Sequence, residues 1–229
     1  GLTKLGSGTL TLSGANTYPG NTTVNAGTLR SGADDVLPNA SGVYVSGNGA
    51  GVTATLDLNG HNDTIGSITF GGATPTSGAG LITGAGTLTL SGNVVYDSSF
   101  GPLGATLAGN LDLGGATRTF TVNDSATTTV DLTVSAAISG TGAGLTKNGA
   151  GTLVLAGLNS YDGNMTVNSG LLQFNAADSI AGSGRNITVN GGGAVALGYV
   201  PATTIQDDLL SRIVSTSTGA VALTANTAE

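Results

Sequence analysis

Apolar and hydroxyl side chains alternate along much of this chain with a period of two residues. In Thr9–Ser13, Leu10 and Leu12 alternate with threonines, which predicts a half-buried strand with both leucines on one face. Residues that favour turns, mainly glycine, asparagine, serine and aspartate, separate further pairs of this kind. The pattern predicts an all-β protein of many short strands. The further pairs are Val43/Val45, Leu56/Leu58, Ile68/Phe70, Leu88/Leu90, Leu111/Leu113, Phe120/Val122, Val130/Leu132/Val134, Leu153/Leu155, Met165/Val167, Leu172/Phe174, Ile187/Val189, Val195/Leu197 and Val221/Leu223.

One stretch departs from this alternation. Residues 206–213 read QDDLLSRI, which predicts one or two helical turns with Asp207 or Asp208 near the N-terminus. The alternative interpretation is a loop that is held by two apolar anchors. We therefore expect one short helical insertion at most.

Internal repeats are the strongest signal in the sequence. Gly1–Leu29 and Gly144–Leu172 align without a gap, and 19 of their 29 positions are identical. A partial copy at 84–96 contains GTLTLSG, the same seven letters as Gly8–Gly14. Such modular copies are expected when each unit contacts mainly its neighbours in a solenoid.

Short strands separated by turns fit either a β-sandwich or a β-solenoid. The near-identical copies, the single buried pairs between tight corners and the low aromatic content of 4% favour a solenoid with a narrow aliphatic core. We predict one β-solenoid over residues 1–229. At roughly 20 residues a rung, which is the low end for solenoid repeats, the chain would form about eleven rungs.

The repeat resembles the passenger-associated transport repeat of autotransporters. The resemblance rests on GSGTLTLSGANTYPGNTTVNAGTL at Gly6–Leu29, on the matching letters at Gly149–Leu172 and on GAGTLTLSGNVVY at Gly84–Tyr96. It implies a right-handed parallel β-helix that is exported across the outer membrane to the bacterial cell surface. It also implies a role for the repeat coils in transport. The sequence begins at Gly1 inside a repeat, without an initiator methionine, which predicts a processed product or a fragment.

Composition and charge narrow the function classes. Hydrophobic residues make up 39% of the chain and the mean hydropathy is +0.24, which argues against disorder. The net charge is −7 and the six basic residues are scattered singly, so we expect neither nucleic-acid binding nor attraction to an anionic membrane. No apolar run approaches the roughly 20 residues of a spanning helix. The absence of cysteine excludes disulfides and thiolate metal sites.

Candidate catalytic groups are few. The single histidine, His61, lies in a turn-like stretch without the sequence context of a Ser-His-Asp triad. A glycosidase needs two carboxyl groups that face each other, and the pattern places Asp57, Asp112 and Asp131 on the outer face between inward apolar residues. We therefore expect no enzyme activity, no catalytic residue and no cofactor. The carboxylates considered are Asp34, Asp35, Asp57, Asp63, Asp97, Asp112, Asp124, Asp131, Asp162, Asp178, Asp207 and Asp208.

Two binding possibilities stay open. Calcium is the ion that the abundant oxygen ligands would suit, although no EF-hand or nonapeptide calcium motif occurs. Asp34-Asp35 and Asp207-Asp208 are interpreted as solvated corners. Tyr18 and Tyr161 occupy equivalent repeat positions, and we expect them to pack over a corner, with a glycan platform as the alternative.

Three functions compete on this basis. The first is an extracellular stalk or adhesin-like display segment of an autotransporter-type passenger, whose receptor or glycan ligand is unknown. The second is a filament subunit that assembles head to tail, because solenoid ends expose strand edges and no polar cap is recognisable at Ala225–Glu229. The third is a β-helical carbohydrate-active enzyme.

Overall fold

The computed structural model describes residues 1–47, 52–71, 79–98, 103–176, 179–180, 185–198 and 203–223. Asp178 and the stretch Ala225–Glu229, in which the sequence shows no recognisable polar cap, lie outside this part of the chain. The strands in it are β1 (Leu2–Lys4), β2 (Thr9–Leu12), β3 (Thr22–Val24), β4 (Gly27–Ser31), β5 (Val43–Val45), β6 (Ala54–Asp57), β7 (Asp63–Ile65), β8 (Ile68–Phe70), β9 (Ala79–Leu90), β10 (Val94–Tyr96), β11 (Ala105–Asp112), β12 (Arg118–Val122), β13 (Leu132–Val134), β14 (Ala137–Ser139), β15 (Leu145–Asn148), β16 (Thr152–Leu155), β17 (Met165–Phe174), β18 (Ile187–Leu197) and β19 (Ala220–Leu223). A single helix, α1 (Thr203–Arg212), precedes β19.

The strand pairings among the described residues are all parallel, and they form three stacks along the coil. Stack A passes through β1, β3, β5, β8, β10, β12, β15 and the first halves of β17 and β18. Stack B passes through β2, β4, β6, β9, β11, β13, β16, the second halves of β17 and β18, and β19. Stack C is shorter and joins β7, the second halves of β9 and β11, and β14. The chain is therefore an all-β parallel solenoid, which confirms the predicted fold class.

The predicted number of about eleven rungs is wrong, because a turn of the coil is longer than 20 residues on average. The register of stack B advances by 19 residues from Thr9 to Thr28 but by 27 residues from Gly27 to Ala54. Rungs of such different length still stack, because the excess residues lie in the connections between strands and leave the strands in register. Fewer rungs than predicted therefore account for the chain.

The apolar partner of each alternating pair faces the inside of the coil. In stack B, Leu29, Leu56, Leu81 and Leu107 follow one another in register, and each is at most 1% exposed. Stacking identical aliphatic side chains at the strand spacing of roughly 4.8 Å produces a continuous narrow core. Leu10 belongs to the same column but is 37% exposed, because β2 lies in the first rung.

The helix predicted at 206–213 is confirmed, although it begins three residues earlier, at Thr203. The earlier start places no acidic residue in the first turn, so the prediction that Asp207 or Asp208 lies near the N-terminus of the helix is wrong. Instead, Asp208 pairs with Arg212 one turn later, at 2.9 Å. Leu209 anchors α1 in the core with no exposed surface. No helix among the described residues is long and apolar enough to cross a membrane.

The connections from stack A to stack B differ between the repeats and the rungs that separate them. Four residues join β1 to β2 and three join β15 to β16, within the two repeat copies. Eight residues join β5 to β6, β8 to β9 and β10 to β11, and nine join β12 to β13. Four consecutive rungs therefore carry long connections at the same corner, and the full repeat copies have short ones.

Candidate functional site

A buried lysine occupies the A-to-B corner of each full repeat copy. The ammonium of Lys147, which has no exposed surface, donates hydrogen bonds to the carbonyls of Asn148 (2.9 Å), Gly149 (2.7 Å) and Ser169 (3.1 Å). The first two carbonyls belong to its own corner and the third belongs to the next rung. The lysine therefore fastens one rung to the next.

Lys4 makes the same three contacts in the first copy. Its ammonium donates to the carbonyls of Leu5 (2.9 Å), Gly6 (2.6 Å) and Ala26 (2.9 Å), the positions that correspond to those around Lys147. Burial lowers the pKa of Lys147 to about 8, and the nearby Asp131 carboxylate opposes this shift. A buried ammonium is costly unless it is hydrogen-bonded, and three carbonyls satisfy its three donors.

A second repeat residue, the asparagine before the tyrosine, also connects rungs. The side-chain amide of Asn159 donates to the carbonyl of Ser179 on the next rung (2.6 Å), and its oxygen accepts from the backbone of Ile138 on the preceding rung (3.1 Å). Asn16 likewise donates to the carbonyl of Val36, at 2.8 Å. The lysine and the asparagine that the two copies share therefore form hydrogen bonds between rungs.

The rung that follows each short corner requires glycine where its chain passes from stack A to stack B, at the start of β4 and within β17. Gly27 has φ +66°, and a Cβ atom there would lie 2.4 Å from the carbonyl oxygen of Gly8. Gly170, its counterpart, has φ +67° and would bring a Cβ atom within 2.5 Å of the Gly149 oxygen. Both the left-handed backbone and the close approach of the preceding rung exclude a side chain. The glycine of the repeat is therefore architectural.

The prediction that Asp131 points outward is wrong. Asp131 is 1% exposed, and its two carboxylate oxygens accept from the backbone amides of Ser125 and Thr152, each at 2.8 Å. It lies just before β13 in the long corner, where the alternation of the strand does not yet apply. Burial raises its pKa, although the hydrogen bonds from Thr152 and Ser125 oppose the shift. Asp131 therefore connects two rungs by accepting hydrogen bonds from their amides, whereas Lys147 connects two rungs by donating hydrogen bonds to their carbonyls.

Asp63 is a second buried carboxylate, 2% exposed, at the start of β7. One oxygen accepts from the amides of Val36 and Leu37 on the preceding rung, both at 3.1 Å, and the other accepts from Thr64 at 2.9 Å. Burial raises the pKa of Asp63 to about 6 against the opposing effect of these hydrogen bonds, and Asp35 adds to the increase. No basic side chain is within salt-bridge distance among the described residues.

The two repeat tyrosines have different surroundings. The hydroxyl of Tyr18 lies 2.6 Å from the Thr22 hydroxyl, and the side chain is half-buried. Tyr161 has no exposed surface, and its buried hydroxyl has no hydrogen-bond partner, because Met165 stands where the first copy has Thr22. The guanidinium of Arg185 lies 5.3 Å from the Tyr161 ring centroid. Tyr161 therefore packs inside the corner, as predicted, and cannot serve as a glycan platform.

The other candidate carboxylates are dispersed over the surface. Asp57 lies between buried leucines and accepts from Arg30 at 2.9 Å, and Asp112 accepts from the Ser139 hydroxyl at 3.2 Å. His61 and Asp34 form an exposed pair, with Nδ1 and Oδ1 3.0 Å apart, and the hydrogen bonds from Asn62 and His61 lower the pKa of Asp34. In the part of the chain that the structure describes, no three histidine, aspartate or glutamate side chains are close enough to share a metal ion.

A shallow groove of about 370 Å³ lies on the outer face of stack B, beside the long corners. Its floor is a column of outward residues in register, Thr55, Gly80, Thr106 and Thr133, and the exposed side chain of Leu103 borders it. All of the described residues that line it are uncharged. The described lining of the groove offers hydroxyl groups and small apolar surfaces.

Sequence reasoning missed Lys4 and Lys147, which it treated as isolated surface charges. The sequence contained a signal for this role, since the lysine is identical in the two copies and the positions that differ between them lie mainly on outward faces or in corners. It also missed Asp63 as a buried residue. The buried charges became visible only when the rungs were stacked, because their partners on neighbouring rungs lie about 20 residues or more away in sequence.

The strands form parallel stacks, and both repeat copies use the same lysine and asparagine to make hydrogen bonds between rungs. The repeat of this solenoid therefore serves to join its rungs. Comparison with known families agrees, since residues 2–30, 83–97 and 145–174 match the passenger-associated transport repeat family. The chain is also 35% identical over 173 residues to a protein named the adhesin BmaC autotransporter, from Brucella suis biovar 1 (strain 1330). The chain is therefore a segment of an autotransporter passenger, which confirms the recognition made from the repeat.

The relationship to the adhesin is local. The aligned stretch covers 75% of this chain but only 4% of the relative, so the chain corresponds to a small part of that much longer protein. No solved structure matches the chain significantly.

Proposed function

We propose that this chain is an extracellular display segment of an autotransporter-type passenger and that it contributes an adhesive surface outside the bacterium. The observation that carries the proposal is that the repeat copies and the rungs between them have different roles. The shared polar residues of the repeat copies, such as Lys147 and Asn159, are consumed in ties between rungs. The rungs between the copies carry the groove, whose floor of outward residues faces away from the core of the coil.

Three further observations support a binding role in preference to catalysis. The groove is lined by hydroxyl and small apolar groups, which suit recognition but supply no general acid or base. The buried carboxylates Asp63 and Asp131 are saturated by backbone amides. The similar protein from Brucella is named an adhesin.

Surface display can be tested by placing the chain between a signal peptide and an autotransporter translocator in a Gram-negative host. We expect the chain to become accessible to added protease and to antibody on intact cells. Retention of the folded chain inside the outer membrane, with the translocator correctly inserted, would contradict the display role.

Adhesion can be tested with two exposed leucines of similar exposure. Leu103 (61% exposed) borders the groove, and Leu158 (64% exposed) lies on a corner of the second repeat copy, away from it. Bacteria that display the chain should bind epithelial cells or matrix better than bacteria with the translocator alone. Leu103→Asp should reduce this gain, and Leu158→Asp should leave it unchanged. Equal binding by all strains would refute the adhesive role while leaving the display role standing.

A further inference from the structure

The rung that follows the second repeat copy contains a buried arginine, Arg185, which is 8% exposed. Its Nη2 donates to the carbonyl of Ser160 at 3.0 Å, but its Nε and Nη1 are buried and have no hydrogen-bond partner. The three ion pairs found among the described residues involve other groups. A guanidinium stays charged when it is buried, so both its free donors and its charge require a partner.

A third unpaired polar atom lies beside this guanidinium. The central carbon of the Arg185 guanidinium is 5.3 Å from the ring centroid of Tyr161, and the buried hydroxyl of Tyr161 also has no partner. All three groups can donate a hydrogen bond, and the two arginine nitrogens cannot accept one. The corner therefore requires an acceptor that the described residues do not supply.

The corresponding corner of the first repeat copy is neutral and satisfied. There the hydroxyl of Tyr18 lies 2.6 Å from the hydroxyl of Thr22, which is replaced by Met165 in the second copy. The register of stack A places Ser41 at the position in the next rung that Arg185 occupies after the second copy. Two differences between the copies therefore meet at one corner, since the partner of the tyrosine is lost and a buried cation is gained.

The neighbouring charges do not balance Arg185. Burial raises the pKa of Tyr161, and the charges of Arg185 and Arg212 oppose this increase, so both guanidinium groups lie near the phenol. Asp208 pairs with Arg212 at 2.9 Å. Asp162 is exposed, and its carboxylate accepts from a backbone amide of the preceding rung. Among the described residues, one positive charge therefore remains without a partner at this corner.

We propose that one chloride ion binds between the guanidinium of Arg185 and the hydroxyl of Tyr161. The ion accepts hydrogen bonds from Nε and Nη1 of the arginine and from the phenol, and its single negative charge balances the guanidinium. Water can accept the same hydrogen bonds but leaves the charge uncompensated. Because all three donors are buried, the corner suits a small monovalent anion in preference to a larger ligand. This inference goes beyond the display role, because it assigns an ion to the inside of the coil.

The dependence of stability on chloride tests the proposal in the full chain. Urea unfolding would be followed by circular dichroism in mixtures of sodium chloride and sodium gluconate at constant ionic strength, so that the screening of surface charges does not change. An ion that binds only the native state stabilises it by mass action. We expect the urea midpoint to rise with the logarithm of the chloride concentration above the dissociation constant. The same midpoint in all mixtures would overturn the proposal.

Two variants that each remove one positive charge separate this site from general attraction of anions. Arg185→Gln should lose the chloride dependence. Arg30→Gln should keep it, because Arg30 is exposed and pairs with Asp57 at 2.9 Å. Circular dichroism would verify that both variants retain the β fold, and the chloride series of the unmodified chain stands independently of either variant. A full chloride dependence in folded Arg185→Gln would overturn the proposal.

The third donor and the position of the ion can be tested separately. Met165→Thr gives the hydroxyl of Tyr161 the partner that Tyr18 has in the first copy, so it should weaken the apparent affinity for chloride without abolishing it. Crystals soaked in sodium bromide would locate the ion by the anomalous scattering of bromine. We expect a peak within hydrogen-bond distance of Nε and Nη1 of Arg185. A carboxylate of the chain at that position, or bromide only elsewhere, would contradict the assignment.

Discussion

Asp63 provides a direct test of the buried corner ties through the pH dependence of stability. Its carboxyl has a pKa of about 6 in the fold, against 3.8 as the reference value for the unfolded chain. A pKa raised on folding means that the native state holds the proton more tightly. The stabilising contribution of the protonated group is therefore fully present below pH 3.8 and is lost as the pH rises through 6.

The size of the effect follows from the shift and the surroundings. A difference of about two pKa units corresponds to about 3 kcal/mol, at 1.36 kcal/mol for each unit. The carboxylate keeps three backbone amide partners and lies beside the exposed residue Asn62, so some contact with water reduces the expected loss to about 2 kcal/mol. Burial is the dominant cause, and Asp35 adds a smaller repulsion.

The perturbation is Asp63→Asn, which cannot ionise. The amide oxygen can still accept from Val36 and Leu37, but the amide nitrogen would face the N–H of Thr64, so the variant should lose about 1 kcal/mol at low pH. Urea unfolding followed by far-ultraviolet circular dichroism would give the free energy of unfolding between about pH 4 and pH 7.5.

The difference in the free energy of unfolding between the unmodified chain and Asp63→Asn isolates the titration of Asp63, since every other group titrates in both proteins. We expect the unmodified chain to lose about 2 kcal/mol relative to Asp63→Asn as the pH rises across this range. Asp207→Asn, on the exposed face of α1, is the control for loss of a carboxylate from the surface. Parallel curves for the unmodified chain and Asp63→Asn would refute the reasoning, because they would mean that burial does not raise the pKa of Asp63.

Two further predictions concern residues of the repeat. Tyr161→Phe should raise the free energy of unfolding by about 1 kcal/mol, because it removes a buried hydroxyl without a partner. Tyr18→Phe should lower the free energy of unfolding by about 1 kcal/mol, because it breaks the contact with Thr22. Thermal melts of both variants in chloride-free buffer would show whether the two effects have opposite signs. Lys147→Met should lower the free energy of unfolding in urea by about 2 kcal/mol, because it leaves three carbonyls without their donor. Thr146→Met should have little effect, because the side chain of Thr146 is half-exposed. Equal losses of stability in the two variants would contradict the role of the Lys147 ammonium in joining two rungs.

The strands were predictable because their signal is local. Alternation with a period of two follows from the geometry of a single strand, so pairs such as Leu56/Leu58 reveal an inward face without knowledge of any neighbour. The repeat then indicated stacking. The number of rungs was not predictable from an average length, because connections of two to twelve residues separate strands that nevertheless remain in register.

The buried charges were not predictable because their partners belong to other rungs. The alternation around Val130 and Leu132 placed Asp131 outside, but the residue lies in the corner before β13, and its partner Thr152 belongs to the next rung. Lys147 likewise depends on Ser169, 22 residues away. The lysine is identical in the two repeat copies, and this identity is the sequence feature that indicates a structural role. The overall composition does not reveal it.

The distribution of rung lengths suggests how such a coil tolerates change. The corner of three or four residues in each full repeat copy is fixed by a lysine that holds carbonyls of two rungs, and the next rung stacks on this corner through a glycine without room for a Cβ atom. A connection of eight or nine residues leaves the register and the inward column of the flanking strands unchanged. Loop closure costs little more as a connection lengthens, so insertions at these corners disturb stability less than substitutions in the repeat do. The surface between the copies can therefore diversify toward new partners while the copies keep the coil in register.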